Sequence, residues 1–252
     1  MKDLLQVKDR HYIVTGAASG IGRATSLLLS EMGAKVLLVD INEENLRKVQ
    51  NECQGNTDIL VLDLTNADCI KTAIKEKVVS FGKLNGFVHC AGLPYVAPLK
   101  VVNPDRTEKL YKLNTYAAIE LAKVCSSKQV YAGEAGSFVL ISSVYGLVGS
   151  AANVGYAMSK GAIVAITKSL AMELVGSGIR VNCVAPGFIK TPMANKVDGM
   201  MDEGYYKRLN ALHPMGLGNP EDIASAILFL FSDMSKWMTD AVMNVDGGFT
   251  AQ

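Results

Sequence analysis

Ser143, Tyr156 and Lys160 form the combination in this chain whose types and spacing can move a proton to or from an oxygen. The serine precedes the tyrosine by thirteen residues, and the tyrosine precedes the lysine by four. On a helix an i, i+4 pair shares one face, with Cβ atoms about 5–6 Å apart. A free tyrosine has a pKa of about 10 and is a poor proton acceptor at neutral pH. A fixed ammonium beside it favours the phenolate and lowers that value, which turns Tyr156 into a general acid/base for an alcohol or carbonyl. A solvent-facing Tyr and Lys on an Ala-rich helix would show the same spacing, so the rest of the chain has to choose between the two readings.

A second group has the chemistry of a nucleotide site. The run TGAASGIG at 15–22, containing Gly16, Ser19, Gly20, Ile21 and Gly22, stands where a β-like run (12–15) feeds a helical pattern (23–32). Glycines there allow a tight turn and let a pyrophosphate approach backbone N–H groups at the positive end of the helix. Asp40, eighteen residues after Gly22, ends the next apolar run, 34–40. A carboxylate at that point accepts both ribose hydroxyls of NAD and repels the 2′-phosphate of NADP. The plainer alternative is a surface acid closing a strand. Arg23, just past Gly22, would count against the NAD preference unless its side chain points away.

The elements that must hold these residues alternate. Strand-like runs at 12–15, 34–40, 59–63, 86–90, 137–142, 179–184 and 241–245 are separated by helical patterns at 23–32, 43–53, 68–81, 107–127, 156–174 and 220–231. Asn42 is positioned to cap the second helix. Such alternation predicts an α/β fold with one doubly wound, Rossmann-type parallel sheet and helices on both faces. Residues 1–252 show no linker or repeat and read as one domain. The irregular stretch 187–218 is the expected lid over a pocket.

Composition narrows the partners. The chain has 252 residues, 49% of them hydrophobic and 19% charged, with a net charge of +1. Nothing there calls for nucleic acid or a polyanion. Five scattered cysteines without a C-x-x-C pair suit reduced, buried thiols better than disulfides or zinc. The N-terminal segment is too polar for a signal peptide, and no apolar run reaches membrane-spanning length, so a cytoplasmic location is expected.

Taken together, these motifs resemble those of the short-chain dehydrogenase/reductase family over nearly the whole chain. The resemblance is carried by TGAASGIG at 15–22, Asp40, Asp63-Leu64, Ala91-Gly92, Asn114, Ser143, Tyr156-x-x-x-Lys160, Pro186-Gly187, Thr191 and Asp246-Gly247-Gly248. It implies an NAD-dependent oxidoreductase interconverting a secondary alcohol and a ketone on a small molecule. Tyr156 would be the acid/base, Lys160 would lower its pKa and hold the nicotinamide ribose, and Ser143 would bind the substrate oxygen. Asn114 would anchor a water in a proton relay. Asp63 and Leu64 would flank the adenine, Cys90, Ala91, Gly92, Pro186 and Gly187 would line the nicotinamide side, and Ile189 and Thr191 would hold the carboxamide. A homotetramer is implied, with the helices at 107–127 and 156–174 in one interface and residues 245–252 near another.

There are departures from the pattern. His89-Cys90 replaces the usual Asn-Asn, which should tune the nicotinamide pocket; Cys90 there would be an oxidation-sensitive thiol. The stretch 214–218 is shorter than usual and lacks an arginine. Members that reduce 3-oxoacyl groups on an acyl carrier protein have two arginines near the active-site mouth; aligned on Ser143 and Tyr156, those positions hold Glu134 and Ser177. That points to a free polyol, sugar or other secondary alcohol as substrate, with the carrier-protein reductase as the alternative. A non-catalytic nucleotide sensor or scaffold is the alternative of another class, although such members lack the Tyr or Lys. An epimerase or dehydratase would need a separate substrate domain.

Overall fold

Apolar runs such as Val36-Leu37-Leu38-Val39 and Phe138-Val139-Leu140 have no polar side to turn to water, so they need cover on both faces. The computed structural model, which describes residues 5–193 and 203–251, places them inside a parallel sheet. Its strands are β1 (His11–Thr15), β2 (Lys35–Asp40), β3 (Thr57–Val61), β4 (Gly86–His89), β5 (Gly136–Ile141), β6 (Ile179–Pro186) and β7 (Val242–Val245). Their order is β3-β2-β1-β4-β5-β6-β7, with every pairing parallel. This is the doubly wound α/β sheet that the alternation predicts.

The helices are α1 (Gly20–Glu31), α2 (Glu43–Glu52), α3 (Ala67–Phe81), α4 (Pro104–Tyr111), α5 (Ala117–Cys125), α6 (Val154–Leu174), α7 (Glu203–Ala211) and α8 (Pro220–Phe231). Two apolar layers follow. Ile70, Ile74 and Phe81 of α3, Leu121 of α5 and Ile163 of α6 pack on one sheet face; Leu29 of α1, Leu46 of α2 and Ile227 of α8 pack on the other. Local signals fix where helices begin. Asn42 Oδ1 accepts the Asn45 N–H at 2.9 Å, as expected of an N-cap. Asp222 Oδ2 accepts the Asn219 N–H at 2.7 Å ahead of α8.

The helix expected over 107–127 is not continuous. It is α4, then a π turn at Lys112–Tyr116, then α5. β3 also starts and ends earlier than its apolar run suggests, which leaves Asp63 in the loop beyond it.

Because β1 and β4 are neighbours while the chain winds outward in opposite directions from them, a crevice opens at their C-terminal ends. That switch point is where ligands bind in sheets of this kind. Among the described residues no helix is long and apolar enough to cross a membrane.

Candidate active site

β1 ends at Thr15 and the chain turns through Gly16 into α1. Gly16 has φ +66°, and a Cβ on it would sit 2.8 Å from the Ala91 backbone nitrogen, so the turn can press against the loop after β4 only as glycine. A Cβ on Gly22 would overlap the Gly16 carbonyl oxygen, which makes the close start of α1 against β1 depend on this glycine too. Ser19 is the N-cap residue, yet its side chain caps nothing. The first N–H groups of α1, at Gly20 to Gly22, therefore begin a helix without a side-chain acceptor, which suits a phosphate. Thr191 packs over Gly20.

Asp40, the last residue of β2, faces this turn. Its Oδ2 accepts the Ala18 N–H at 3.2 Å and its Oδ1 accepts the Asn42 N–H at 3.0 Å, so each oxygen keeps a lone pair for a ligand hydroxyl. Arg23 pairs with Glu52 at the far end of α2, away from Asp40. Asp63 is folded onto Thr65, whose hydroxyl and N–H, at 2.7 and 2.8 Å, hold the carboxyl below its usual range. Leu64 is buried in the core beneath. Ile21, Cys90, Gly92, Pro186, Gly187, Ile189 and Thr191 line the cleft, and Ala91 donates its N–H to Thr15 Oγ1 at 3.2 Å. This set fits a dinucleotide: uncapped N–H groups for the pyrophosphate, a carboxylate for a ribose diol, and an apolar floor beyond.

Ser143, Tyr156 and Lys160 meet on that floor. The four-residue spacing on α6 puts Lys160 Nζ 5.8 Å from the centre of the Tyr156 ring. The Tyr156 hydroxyl is hydrogen-bonded to Ser143. Ser142, turned to the other face as strand alternation requires, donates to the Lys160 carbonyl at 2.7 Å. The ammonium of Lys160 donates to the Ile141 carbonyl at 2.8 Å. Burial pushes Tyr156 up to about 12, against the Ser143 hydrogen bond, and pushes Lys160 down to about 8. In the protein alone the expected lowering of Tyr156 is outweighed, because the phenol sits out of water. Cys90 is corrected in the same way. Burial pushes its thiol up to about 12, so it is a neutral group and not the reactive thiolate that oxidation requires.

His89, at the end of β4, is fully engaged. Its Nδ1 lies 2.9 Å from Thr15 Oγ1 and its Nε2 lies 2.9 Å from the Leu113 carbonyl oxygen. Asn114 lies in the π turn. Its Oδ1 accepts the Leu93 N–H at 2.8 Å, and its Nδ2 donates to the Leu93 carbonyl and to Ser159 Oγ, both at 3.1 Å. With its side-chain amide spent on protein, Asn114 shapes the Leu93 loop. Asn182 ties the β6–β7 connection together, donating to the Met238 carbonyl and accepting the Ala241 N–H at 3.0 Å each.

On the substrate side, Pro94, Tyr95, Val144, Tyr145, Phe188 and Met193 line the cleft as expected. Val154 does not; it is exposed on α6. The expected contributions of 194–201, and that part of the lid at 187–218, lie outside the described residues. The short stretch 214–218 is anchored by backbone and not by an arginine. Gly218 bridges Ile189, Lys190 donates to Gly218 at 2.9 Å, and Met215 donates to Gly247 at 3.1 Å. Sequence reading missed Leu93, Asn153, His213 and Phe249, which also line the cleft. The signal for Phe249 was the Asp246-Gly247-Gly248 turn, which doubles the chain back on itself. Glu134 and Ser177 need a correction. They precede β5 and β6, and so lie at the sheet edge opposite the strand ends that carry Ser143 and the cleft.

Known proteins are similar to this chain over nearly its whole length. A family profile described as enoyl-(acyl carrier protein) reductase matches residues 16–250. A 3-oxoacyl-[acyl-carrier-protein] reductase from Thermotoga maritima is 36% identical, covering 97% of this chain and 99% of its own. A 2,5-dichloro-2,5-cyclohexadiene-1,4-diol dehydrogenase from Sphingobium indicum is 34% identical over 95% of this chain and 96% of its own. The crystal structure of a putative NAD(P) dependent gluconate 5-dehydrogenase from Beutenbergia cavernae, with bound NADP, superposes with a TM-score of 0.92 at 29% identity, covering 99% of this chain and 100% of its own.

Proposed function

Because the chain belongs to the short-chain dehydrogenase/reductase family, oxidoreductases that interconvert secondary alcohols and ketones with a nicotinamide dinucleotide, we propose that it oxidises a free small-molecule alcohol with NAD in preference to NADP. One observation carries this reading. A serine-bonded phenol, Tyr156, lies on the floor of a cleft whose rim holds an uncapped helix start and a carboxylate with lone pairs to spare.

When bound, the nicotinamide ring supplies the hydride chemistry. The chain's own residues do the rest. The Gly20–Gly22 N–H groups hold the pyrophosphate, and Asp40 accepts the hydroxyls of the adenine-side ribose. Ser143 holds the substrate oxygen and steadies its developing charge, while Tyr156 takes the alcohol proton or returns it to the ketone. Lys160 holds the nicotinamide ribose and, once the positive charge of oxidised cofactor stands beside it, helps draw Tyr156 down from the high value that burial imposes. Asn114 and His89 position the loop at Ala91–Leu93 and touch no reacting atom.

A screen for NAD reduction across polyols, sugars, hydroxysteroids and hydroxyacyl thioesters tests the reading. Turnover of at least one class, abolished in Tyr156→Phe, is expected. Tight nucleotide binding with no turnover of any alcohol or ketone would favour a non-catalytic sensor.

A further inference from the structure

The described substrate half of the cleft is lined mostly by apolar side chains and offers few polar groups. Tyr95 accepts the Asn103 N–H on its hydroxyl at 2.7 Å. Asn153 turns its amide to Ser150 Oγ at 3.0 Å and to the Ala151 carbonyl at 3.2 Å. His213 Nε2 accepts the Phe188 N–H at 3.0 Å, so its Nδ1 carries the proton and donates to the Leu209 carbonyl at 2.6 Å. Beyond the reacting group and the cofactor side, the described lining keeps three polar groups, the Tyr95 and Tyr145 hydroxyls and Asn153 Oδ1, against the apolar Leu93, Pro94, Val96, Val144, Phe188 and Phe249. The only formal charge there is Lys160, held beneath Tyr156 by the Ile141 carbonyl.

The wall facing this apolar space comes from the C-terminal turn. Asp246 accepts the Gly248 N–H at 3.0 Å on one oxygen, and on the other the Thr250 N–H and hydroxyl at 2.9 and 2.6 Å. That clamp aims Phe249 back into the cleft. Its ring centre lies 4.9 Å from that of His213, tilted by 35°, and 6.0 Å from that of Tyr145, edge to face at 84°. A ring pinned on two sides presents a fixed flat surface.

We propose that the cleft takes a neutral, largely apolar secondary alcohol carried on a ring, and that Phe249 is the specificity-determining wall against which that ring lies. The proposal rests on the oxidoreductase reading above. A sugar or polyol would bring several hydroxyls out of water against few partners among the described residues. Each such hydroxyl costs roughly ten-fold in kcat/KM. A carboxylate or phosphate would meet no accessible cation among the described residues, which costs more.

The test uses the full chain with NAD and compares 4-methylcyclohexanol, myo-inositol and a hydroxycyclohexane bearing a carboxylate. The expected kcat/KM for methylcyclohexanol exceeds that for inositol by at least ~10²-fold and that for the carboxylate by at least ~10-fold. Phe249→Ala should raise KM for methylcyclohexanol about ten-fold, leaving kcat and NADH affinity near wild type, the mark of lost ring contact and not of lost chemistry. Phe249→Leu keeps most of the volume and checks that the turn still folds; it should fall between the two. Inositol or the carboxylate turned over as well as methylcyclohexanol overturns the inference and leaves the oxidoreductase reading standing. An unchanged KM in Phe249→Ala removes Phe249 from the wall. Absence of turnover on all three, with nucleotide bound, overturns the inference, and the oxidoreductase reading falls with it only if the wider alcohol screen is silent as well.

Discussion

His89 Nδ1 sits 2.9 Å from the hydroxyl of Thr15, joining the ends of β4 and β1 at the point where the sheet's winding reverses. The Leu113 carbonyl can only accept, so Nε2 carries the proton; in the neutral ring Nδ1 then accepts the Thr15 hydroxyl proton, while Thr15 Oγ1 itself accepts the Ala91 N–H. One ring thus ties the glycine-rich turn, the Ala91 loop and the π turn that carries Asn114.

This bridge gives the fold an acid-labile joint. Burial lowers His89 to about 4, outweighing the Leu113 carbonyl, which favours the charged form. In the unfolded chain the ring titrates near ~6.5. Between the two values the unfolded state binds a proton that the folded state refuses. Stability is therefore complete above about pH 6.5 and is lost as pH falls towards 4, by on the order of 3 kcal/mol in all. Denaturant melts at pH 7 and pH 5 should show about 2 kcal/mol of that loss in the wild type and a smaller change in His89→Asn, which cannot titrate. Equal losses in both would place the acid sensitivity elsewhere.

Tyr156→Phe should lower turnover by at least ~10²-fold, the scale of a lost, positioned proton donor. NADH affinity, read by fluorescence titration, should stay within a few-fold of wild type. Because burial holds the phenol protonated, alcohol oxidation should speed up as pH rises through 7 to 9, and ketone reduction should not. Near-normal turnover in the variant would take Tyr156 out of the chemistry.

Asp40 should make NAD the better cofactor by at least ~10²-fold in kcat/KM, since a phosphate set against a carboxylate costs several kcal/mol. Arg23 offers no relief, being paired with Glu52. Asp40→Ser should narrow the ratio by about ten-fold or more. Equal use of NADH and NADPH by the wild type would mean that the carboxylate does not face the ribose 2′ position.

The α5 and α6 layer leaves Tyr116, Met158 and Met172 exposed, and Val154 and Val175 flank them. Apolar groups gathered on neighbouring helices mark an interface. Sedimentation at micromolar concentration should give a homotetramer, and Met158→Asp with Met172→Asp should reduce it to smaller species. A wild-type monomer under those conditions would rule the assembly out.

The parts of the site that were legible in the sequence are those set by local spacing. Four residues on a helix bring Tyr156 to Lys160, and an acid closing the second strand brings Asp40 to the glycine turn. The π turn at Lys112–Tyr116 was not legible, because nothing in KLNTY breaks a helix. The turn goes with partners from elsewhere: His89 at the Leu113 carbonyl, and Leu93 and Ser159 at the Asn114 amide. Tyr156 was legible in position but not in acidity, which depends on how deeply the fold buries it. Phe249 was hidden for the same reason as the π turn, since its neighbours His213 and Tyr145 are distant in the chain.

The choice between a free substrate and one carried on an acidic protein turns on which end of the sheet the charges occupy. Glu134 and Ser177 stand at the opposite edge from the cleft, so their lack of positive charge does not by itself keep a carrier from this chain's own opening. They would act on a carrier only if a second subunit brought that edge to the mouth of the first. What opposes a carrier here is the cleft itself. Its described lining has no cation at the mouth, where complementary charge would speed encounter with an acidic protein and set its register. A 3-oxoacyl group should therefore be reduced about equally well on its carrier protein and on a small thiol, with kcat/KM values within ten-fold of each other. The comparison should be repeated at low and high salt, since a charge-steered encounter weakens as salt rises. A carrier-bound substrate favoured more than ten-fold, with that advantage lost in high salt, would replace the small-molecule reading with a carrier-protein reductase.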